Sequence, residues 1–533
     1  MKLIIIFLLF MLPAQNVFAA EDFDDVKKDR WSYEYIIRLR ELGITEGTGG
    51  NKYEPSKNLT RAEFITFLSG LMKWDTDNIN SVSYDDNHDT GQWYYKYIEA
   101  AVNNKTLLKE SERFRPNDLI TREDMAVFIV RALGYQELAG QLAYLPPPFP
   151  DVADSAGHIN IAKDFGIISG ITSYEFAPNN SATREQAATM LIRMYDALNN
   201  KIKYKNAFYA ISSFSQADFI NGFDSISFGW SRLETDGIEI SLNTTAQNGN
   251  DYYTPEGYEL PLSMAESKDR LLMVAVKESD SATIINNTNL SAEAVNAIST
   301  AISQGGLPFD GVVIDFETLK GEESKLNFNK FLFELRKTMP SKKIFVAVHP
   351  ITPGEYYDAY DYKTIAGIAD KVIIMAHDYN AKSLSEAEMA GNMNITPLSP
   401  INSVYYALRA AIDEIPDKQK IMLQLSFSSA QWQSTNDVIT NENVLSPSYE
   451  SIIKRIKSGA NALFSEKYKS PYAIYSENGV DNIIWFENDK SISEKIKLAK
   501  LFGIENISVW RLGIIPDDNS VSGFNIYSTL KNS

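Results

Sequence analysis

The stretch Phe309-Asp310-Gly311-Val312-Val313-Ile314-Asp315-Phe316-Glu317 decides how the second half of the chain is read. It is an apolar run with β-branched residues, the pattern of a strand covered on both faces. Side chains alternate along a strand, so Val313, Asp315 and Glu317 share one face while Val312, Ile314 and Phe316 share the other. Carboxylates are seldom buried unless paired or used. One face therefore packs on apolar neighbours, and the other ends in two acids. That combination suits an inner strand of a parallel β/α barrel, whose chemistry sits at the C-terminal ends of its strands.

Similar runs recur on both sides of it, at residues 207–212, 225–229, 271–276, 310–317, 343–349, 371–375, 420–426 and 506–510. Helical patterns such as residues 326–339 separate the later ones, so residues 206–533 are expected to form an α/β TIM-type (β/α)8 barrel. The interval between the seventh and eighth runs is too long for one crossover. A helix near 452–459 and a strand at 483–486 predict a small α+β insertion at about residues 434–490.

The first half is repetitive. Thr60-Arg61-Ala62-Glu63, Thr121-Arg122-Glu123-Asp124 and Thr183-Arg184-Glu185-Gln186 return at near-constant spacing. Each follows an acidic opening that contains Asp25, Asp86 or Asp151, and then an amphipathic helix. Gly43 and Gly166 are placed to end two of these helices in the left-handed conformation, and the second repeat lacks that glycine. An aromatic-x-Pro turn (Tyr53-Glu54-Pro55, Phe114-Arg115-Pro116, Phe176-Ala177-Pro178) leads to each Thr, which can cap the next helix. The fold class is thus multidomain, an all-α module followed by the barrel.

Composition narrows the function. Length suggests about three or four domains. The formal charge of −18 disfavours nucleic acid as the main partner, since phosphate binding needs clustered Lys and Arg. Met1-Lys2, an apolar run and Val17-Phe18-Ala19 describe a secretory signal peptide over residues 1–19, with no transmembrane segment expected after its cleavage. The absence of cysteine excludes thiol catalysis and disulfides. His88, His158, His349 and His377 show no close ligand spacing, so neither a metal nor another cofactor is expected. Walker and GxSxG motifs are also missing.

The three repeats resemble S-layer homology domains, at residues 20–80, 81–145 and 146–200. The resemblance implies a pseudo-threefold helical module that binds pyruvylated secondary cell wall polymer on a bacterial surface. It places Arg61, Arg122 and Arg184 in grooves between repeats, meeting the polymer carboxylate, with Asp25, Asp86, Asp151, Trp31 and Trp93 completing the sugar contacts. A guanidinium fork at a helix N-terminus suits such a ligand. In the third repeat Ile159 stands near the expected Trp position.

The barrel half resembles family 18 glycoside hydrolases, in the branch of cell-wall and spore-cortex hydrolases. Asp310-x-x-Val313-x-Asp315-x-Glu317 matches the DxxDxDxE signature with one substitution. Met375-Ala376-His377-Asp378 falls where that family has Met-x-Tyr-Asp, Trp510 where it has a Trp on the eighth strand, and Ile484-Trp485-Phe486-Glu487 is a further match. The resemblance implies substrate-assisted retaining hydrolysis of an N-acetylglucosamine-containing polysaccharide. Glu317 would be the acid and then the base, and Asp315 would stabilise the acetamido-derived cation. Asp310 of the signature and Met375 would take part in substrate binding, His377 and Asp378 would position the acetamido group, and Trp510 would floor the sugar site. With Val313 in place of the innermost acid, Asp315 is expected to pair with Glu317, while the histidine at 377 can donate a hydrogen bond but changes charge near neutral pH. The alternative reading is a non-catalytic sugar-binding barrel on an S-layer anchor.

Overall fold

A computed structural model describes residues 22–351, 357–390 and 395–533. The signal peptide expected over residues 1–19 lies outside them. Two compact units emerge, the first ending at Tyr195 and the second taking in Asp196–Ser533. No described helix is long and apolar enough to cross a membrane.

The first unit is helical. Each repeat contributes one helix that opens it (Tyr33–Glu41, Tyr95–Asn103, Ala156–Asp164) and one that follows the Thr-Arg motif (Arg61–Met72, Arg122–Ala132, Arg184–Asn199). The capping expectation holds: Thr60 accepts from the Glu63 N–H and Thr121 from the Asp124 N–H. Gly43 and Gly166 adopt left-handed φ of 70° and 69°, and in the second repeat Lys105 takes the same role at φ 56°. Ile159 is fully buried, like Ile36 and Ile98, so it is a core residue of its helix and not a stand-in for the surface tryptophan. Trp31 and Trp93 are 59% and 54% exposed.

The arginines and aspartates of the repeats have partners within the protein. Each arginine reaches into the next repeat and donates to a backbone carbonyl, Arg61 to Phe114 and Arg122 to Phe176, while Arg184 returns to Tyr53 of the first repeat. All three guanidinium groups also lie over the aromatic ring of that residue, 4.7–4.9 Å from its centroid. Backbone bridges Thr60–Leu119, Thr121–Ser181 and Asn58–Thr183 run round the same ring. The three aspartates are spent internally. Asp25 accepts from the N–H groups of Tyr53 and Glu54, Asp86 from Phe114 and Arg115, and Asp151 from Phe176 and Ala177. They hold turns in which Glu54, Arg115 and Ala177 have positive φ, a conformation unfavourable for residues with a side chain. Joining repeats and fixing turns is thus one role of these groups.

In the second unit, eight described parallel strands close into a barrel: β1 (Tyr204–Ala210), β2 (Ser225–Thr235), β3 (Asp269–Val276), β4 (Gly311–Asp315), β5 (Lys343–Val348), β6 (Lys371–Ile374), β7 (Ile421–Ser426) and β8 (Asn506–Trp510). Pairing of β1 with both β2 and β8 completes the closure. All eight coincide with the expected runs. On β4 the alternation is as read: Val313 joins Phe208, Met273, Phe345 and Met422 in the barrel interior. On the opposite face Phe316 stacks on Phe328 and Phe331 of the helix Gly321–Thr338. Gly311 opens the strand because a side chain there would meet the Lys343 carbonyl at 2.1 Å.

The insertion between β7 and β8 has about the expected extent but more strands than the one anticipated. It contains the helix Tyr449–Lys457 and an antiparallel sheet of five described strands, the first of them Ala430–Thr435. Its short strands carry polar residues such as Gln431, Gln433 and Asn482, which hydrogen-bond one another across the sheet and so break the apolar runs by which strands are recognised. At Lys105 the left-handed backbone costs about 1–2 kcal/mol for a residue with a side chain. Lys105→Gly should therefore stabilise the first unit by up to about 1 kcal/mol after the glycine's own entropic cost, seen as slower amide hydrogen exchange in the helix Tyr95–Asn103. Unchanged or faster exchange would show that this turn is not strained.

Candidate active site

The C-terminal ends of the barrel strands surround a cleft of about 490 Å³. Strand β1 supplies Phe208, β4 Asp315 with Glu317 just beyond it, and β5 Ala347 followed by His349. Met375, His377 and Asp378 follow β6, while Gln424 and Trp510 come from β7 and β8. Glu278, after β3, closes one side. Six of the expected residues, Asp315, Glu317, Met375, His377, Asp378 and Trp510, thus meet in one place.

Asp310 does not. It lies at the opposite, N-terminal end of β4, about 16 Å from Asp315 at strand spacing, where its carboxylate accepts from the Arg270 N–H and lies 3.7 Å from the Arg270 Nε. Its place in the motif reflects strand pairing at the barrel floor, not contact with a ligand.

Asp315 is buried, and its Oδ1 has no hydrogen-bond partner among the described residues. Burial, and then the charge of Glu317, push its carboxyl well above the ordinary range. The expected pair, Asp315 and Glu317, interacts through charge, with no hydrogen bond between them among the described residues. Glu317 has its side chain 44% exposed to the cleft, and its Oε2 is 3.7 Å from the His349 Nε2. Its carboxyl is also raised, chiefly by desolvation and further by Glu278 and Asp378, against the lowering effect of His377. His349 stacks on Tyr357 with ring centroids 4.1 Å apart. Burial, helped by the charge of His377, lowers it to about 4, so it is neutral near pH 7 and adds no positive charge beside Glu317.

A second chain of contacts crosses from β6 to β7. His377 Nδ1 lies 2.9 Å from the Asp378 Oδ2, and its Nε2 lies 2.8 Å from the Gln424 Oε1. Lys382 donates to the other Asp378 oxygen at 3.0 Å. Burial alone would raise Asp378, but the bonds and charges of His377 and Lys382 outweigh it and hold the carboxylate below its usual range. Burial likewise opposes the charge on His377, yet the bond and charge of Asp378 prevail and raise it. Both ring nitrogens of His377 are committed within the protein, so the ring does not itself offer the hydrogen bond expected of it. Trp510 packs edge-on against Phe208, centroids 5.1 Å apart, and faces the cleft as a partly buried platform. Gln424, Lys382, Glu278 and Tyr357 were not singled out in the sequence, because nothing in their local pattern marks them; the strand and loop ends bring them there.

A smaller concavity in the first unit, of about 60 Å³, is lined by Trp31, Arg122, Ser169, Gln186, Thr189 and Arg193 among others. Arg122 therefore both joins two repeats and borders an open groove.

A carboxyl whose pKa is higher in the fold than in the unfolded chain weakens the fold as pH rises between the two values, because only the unfolded chain releases the proton freely. Asp315→Asn should consequently stabilise the protein at neutral pH, by about 1.4 kcal/mol for each unit by which the acid is raised. The gain should disappear below the ordinary aspartate range. Thermal unfolding at acidic and neutral pH measures this, and a variant that is less stable at both would contradict the account of Asp315.

Comparison with known proteins gives two family matches. Residues 22–65, 83–126 and 148–188 match the S-layer homology domain, and residues 282–514 match Glycosyl hydrolases family 18. Exoglucanase XynX of Acetivibrio thermocellus is 34% identical over 183 residues, covering 33% of this chain and 16% of that protein. The cortical fragment-lytic enzyme of Bacillus anthracis is 27% identical over 235 residues, covering 41% of this chain and 49% of that one. The chain thus spans half or less of the length of both relatives. A crystal structure of a chitinase from Chromobacterium violaceum ATCC 12472 superposes with a TM-score of 0.50 at 16% identity, covering 62% of this chain and 98% of that one, a likeness of fold. The chain therefore carries three S-layer homology domains followed by a glycosyl hydrolases family 18 domain.

Proposed function

We propose that this protein is a bacterial cell-surface glycosidase that cleaves N-acetylglucosamine-containing glycan, peptidoglycan or a chitin-like polymer, as an endo-β-N-acetylglucosaminidase or chitinase. The observation that carries the reading is Glu317, a raised carboxyl open to a barrel-mouth cleft and set beside the buried Asp315. A general acid must hold its proton near the working pH, and desolvation together with like charges supplies that condition. Glu317 would protonate the glycosidic oxygen while the 2-acetamido carbonyl of the sugar attacks the anomeric carbon. Asp315 would face the positive charge that develops on the acetamido-derived ring, and Glu317 would then take a proton from the incoming water. Trp510 offers an apolar ring on which a pyranose face can lie. The names of the relatives, a cortical fragment-lytic enzyme and a chitinase, agree with this substrate class.

The S-layer homology domains would hold the enzyme on the bacterial cell surface. The groove bordered by Arg122 and Arg193, with the exposed Trp31 beside it, has the cationic and aromatic groups that a pyruvylated secondary cell wall polymer calls for. Domain limits at about residues 20–80, 81–145, 146–200 and 206–533 follow from the same reading.

Two experiments test it. Digests of peptidoglycan and N-acetylglucosamine oligomers by the wild type and by Glu317→Gln, followed by mass spectrometry, should show cleavage that falls about 100-fold or more in the variant. Equal products from both proteins would remove Glu317 from the chemistry, and no cleavage of any glycan by the wild type would favour a non-catalytic sugar-binding barrel. Separately, the full chain should cosediment with wall material that bears the polymer and lose most of that binding in Trp31→Ala. Equal retention on walls stripped of the polymer would end the anchoring proposal.

A further inference from the structure

We propose that Gln424 is the group in this cleft that meets the N-acetyl oxygen of the glycan, and that protonation of His377 decides which end of its amide the sugar encounters. The substrate part of this proposal rests on the glycan reading above. His377 is held on both sides, by Asp378 at 2.9 Å and by Gln424 at 2.8 Å, which leaves no ring nitrogen for a ligand. One end of the Gln424 amide is taken up by His377. The other has no hydrogen-bond partner among the described residues, although the residue is only 2% exposed and lines the cleft. A nearly buried amide with one unmatched end turned to a cavity discriminates strongly between ligands that do and do not match it.

Which end is free follows from proton positions. Asp378 is an acceptor, so the His377 Nδ1 carries a hydrogen. When Nε2 is protonated as well, the Gln424 carbonyl oxygen accepts from it, and the amide N–H groups face the cleft. They can then donate to an acetamido oxygen. When Nε2 is neutral it needs a donor, so the amide turns over and presents its carbonyl oxygen, which repels another carbonyl. The groups that face His377 are Asp378 on its own segment with Lys382 beyond it, Glu317 from the end of β4, His349 from β5 and the neutral Gln424 from β7. Asp315 and Glu278 act on it through Glu317. The donor-facing state is therefore present at lower pH and lost as pH rises through the His377 midpoint.

The test compares the full chain bearing Glu317→Gln, which leaves the glycan intact, with the same chain carrying Gln424→Met as well, a side chain of similar length without an amide. The probes are the N-acetylglucosamine trimer and its fully de-N-acetylated counterpart, titrated calorimetrically between about pH 5 and pH 9 (a range spanning histidine titration). The first protein should bind the N-acetylated trimer with a Kd that rises about 10-fold with pH, equal to about 1.4 kcal/mol. Gln424→Met should bind it about as weakly throughout, with a flat profile, and both should treat the de-N-acetylated trimer alike. Because the chain has four histidines, His-selective carbon NMR, assigned with His377→Asn, reads the His377 midpoint without any glycan. That midpoint should fall in Gln424→Met, where the imidazolium loses its acceptor. A trimer bound equally by both proteins with the same pH profile, or an unmoved His377 midpoint, overturns the role of Gln424 and leaves the glycan reading standing. Failure of the Glu317→Gln protein to bind any N-acetylated probe overturns the glycan reading and, with it, this one.

Discussion

A carboxyl group set on an apolar barrel core, with no cation against it, is the constraint on which the candidate site depends. Below Asp315 the interior of β4 is Val313, packed with Met273, Phe345 and Met422. Burial removes most of the solvent from this carboxyl, and its Oδ1 has no hydrogen-bond partner among the described residues. Its proton is therefore held tightly, and the neighbouring Glu317 feels the same apolar floor. His349 is the nearest basic side chain to Glu317, and it is neutral because it too is buried. Burial thus acts on three groups at once in the same direction, toward the uncharged form.

Charge is instead concentrated a few ångströms away, in the run Lys382–Asp378–His377–Gln424. There each group has a partner of complementary character, so an ionised aspartate persists despite its burial. One cleft therefore holds a pair of acids pushed toward the protonated form and an aspartate kept ionised. Environments that drive neighbouring titratable groups apart are a common way for one site to supply an acid and a charge stabiliser together.

The helical unit depends on a different interaction. Its three arginines link repeat to repeat in a closed cycle, each combining a hydrogen bond to a carbonyl with an aromatic ring beneath the guanidinium. Charge-assisted hydrogen bonds of this kind contribute about 1.5–3 kcal/mol each. The aspartates hold the turns that present those carbonyls, so the recurring acidic and Thr-Arg motifs are two halves of one joint. A pattern of charged residues repeated in sequence is as compatible with such a joint as with a ligand site, and only the partners distinguish them.

What was legible in the residues was whatever depends on periodicity and local backbone chemistry. The eight strands, the alternation of Val313, Asp315 and Glu317, the threonine caps and the left-handed glycines are all properties of short segments, and the order of strands in a parallel barrel follows from right-handed crossovers. The amino acids could not show what each side chain would touch. Asp310 and Asp315 belong to one motif, but five residues of strand carry them to opposite ends of the barrel. His377 looked like a donor to substrate until Gln424, 47 positions away, was seen to occupy its second nitrogen. Lys105 carries no mark of the left-handed turn that the repeat imposes on it. Local patterns determine the elements because their forces are local, whereas burial, charge and hydrogen-bond partners arise only when strand ends distant in sequence meet.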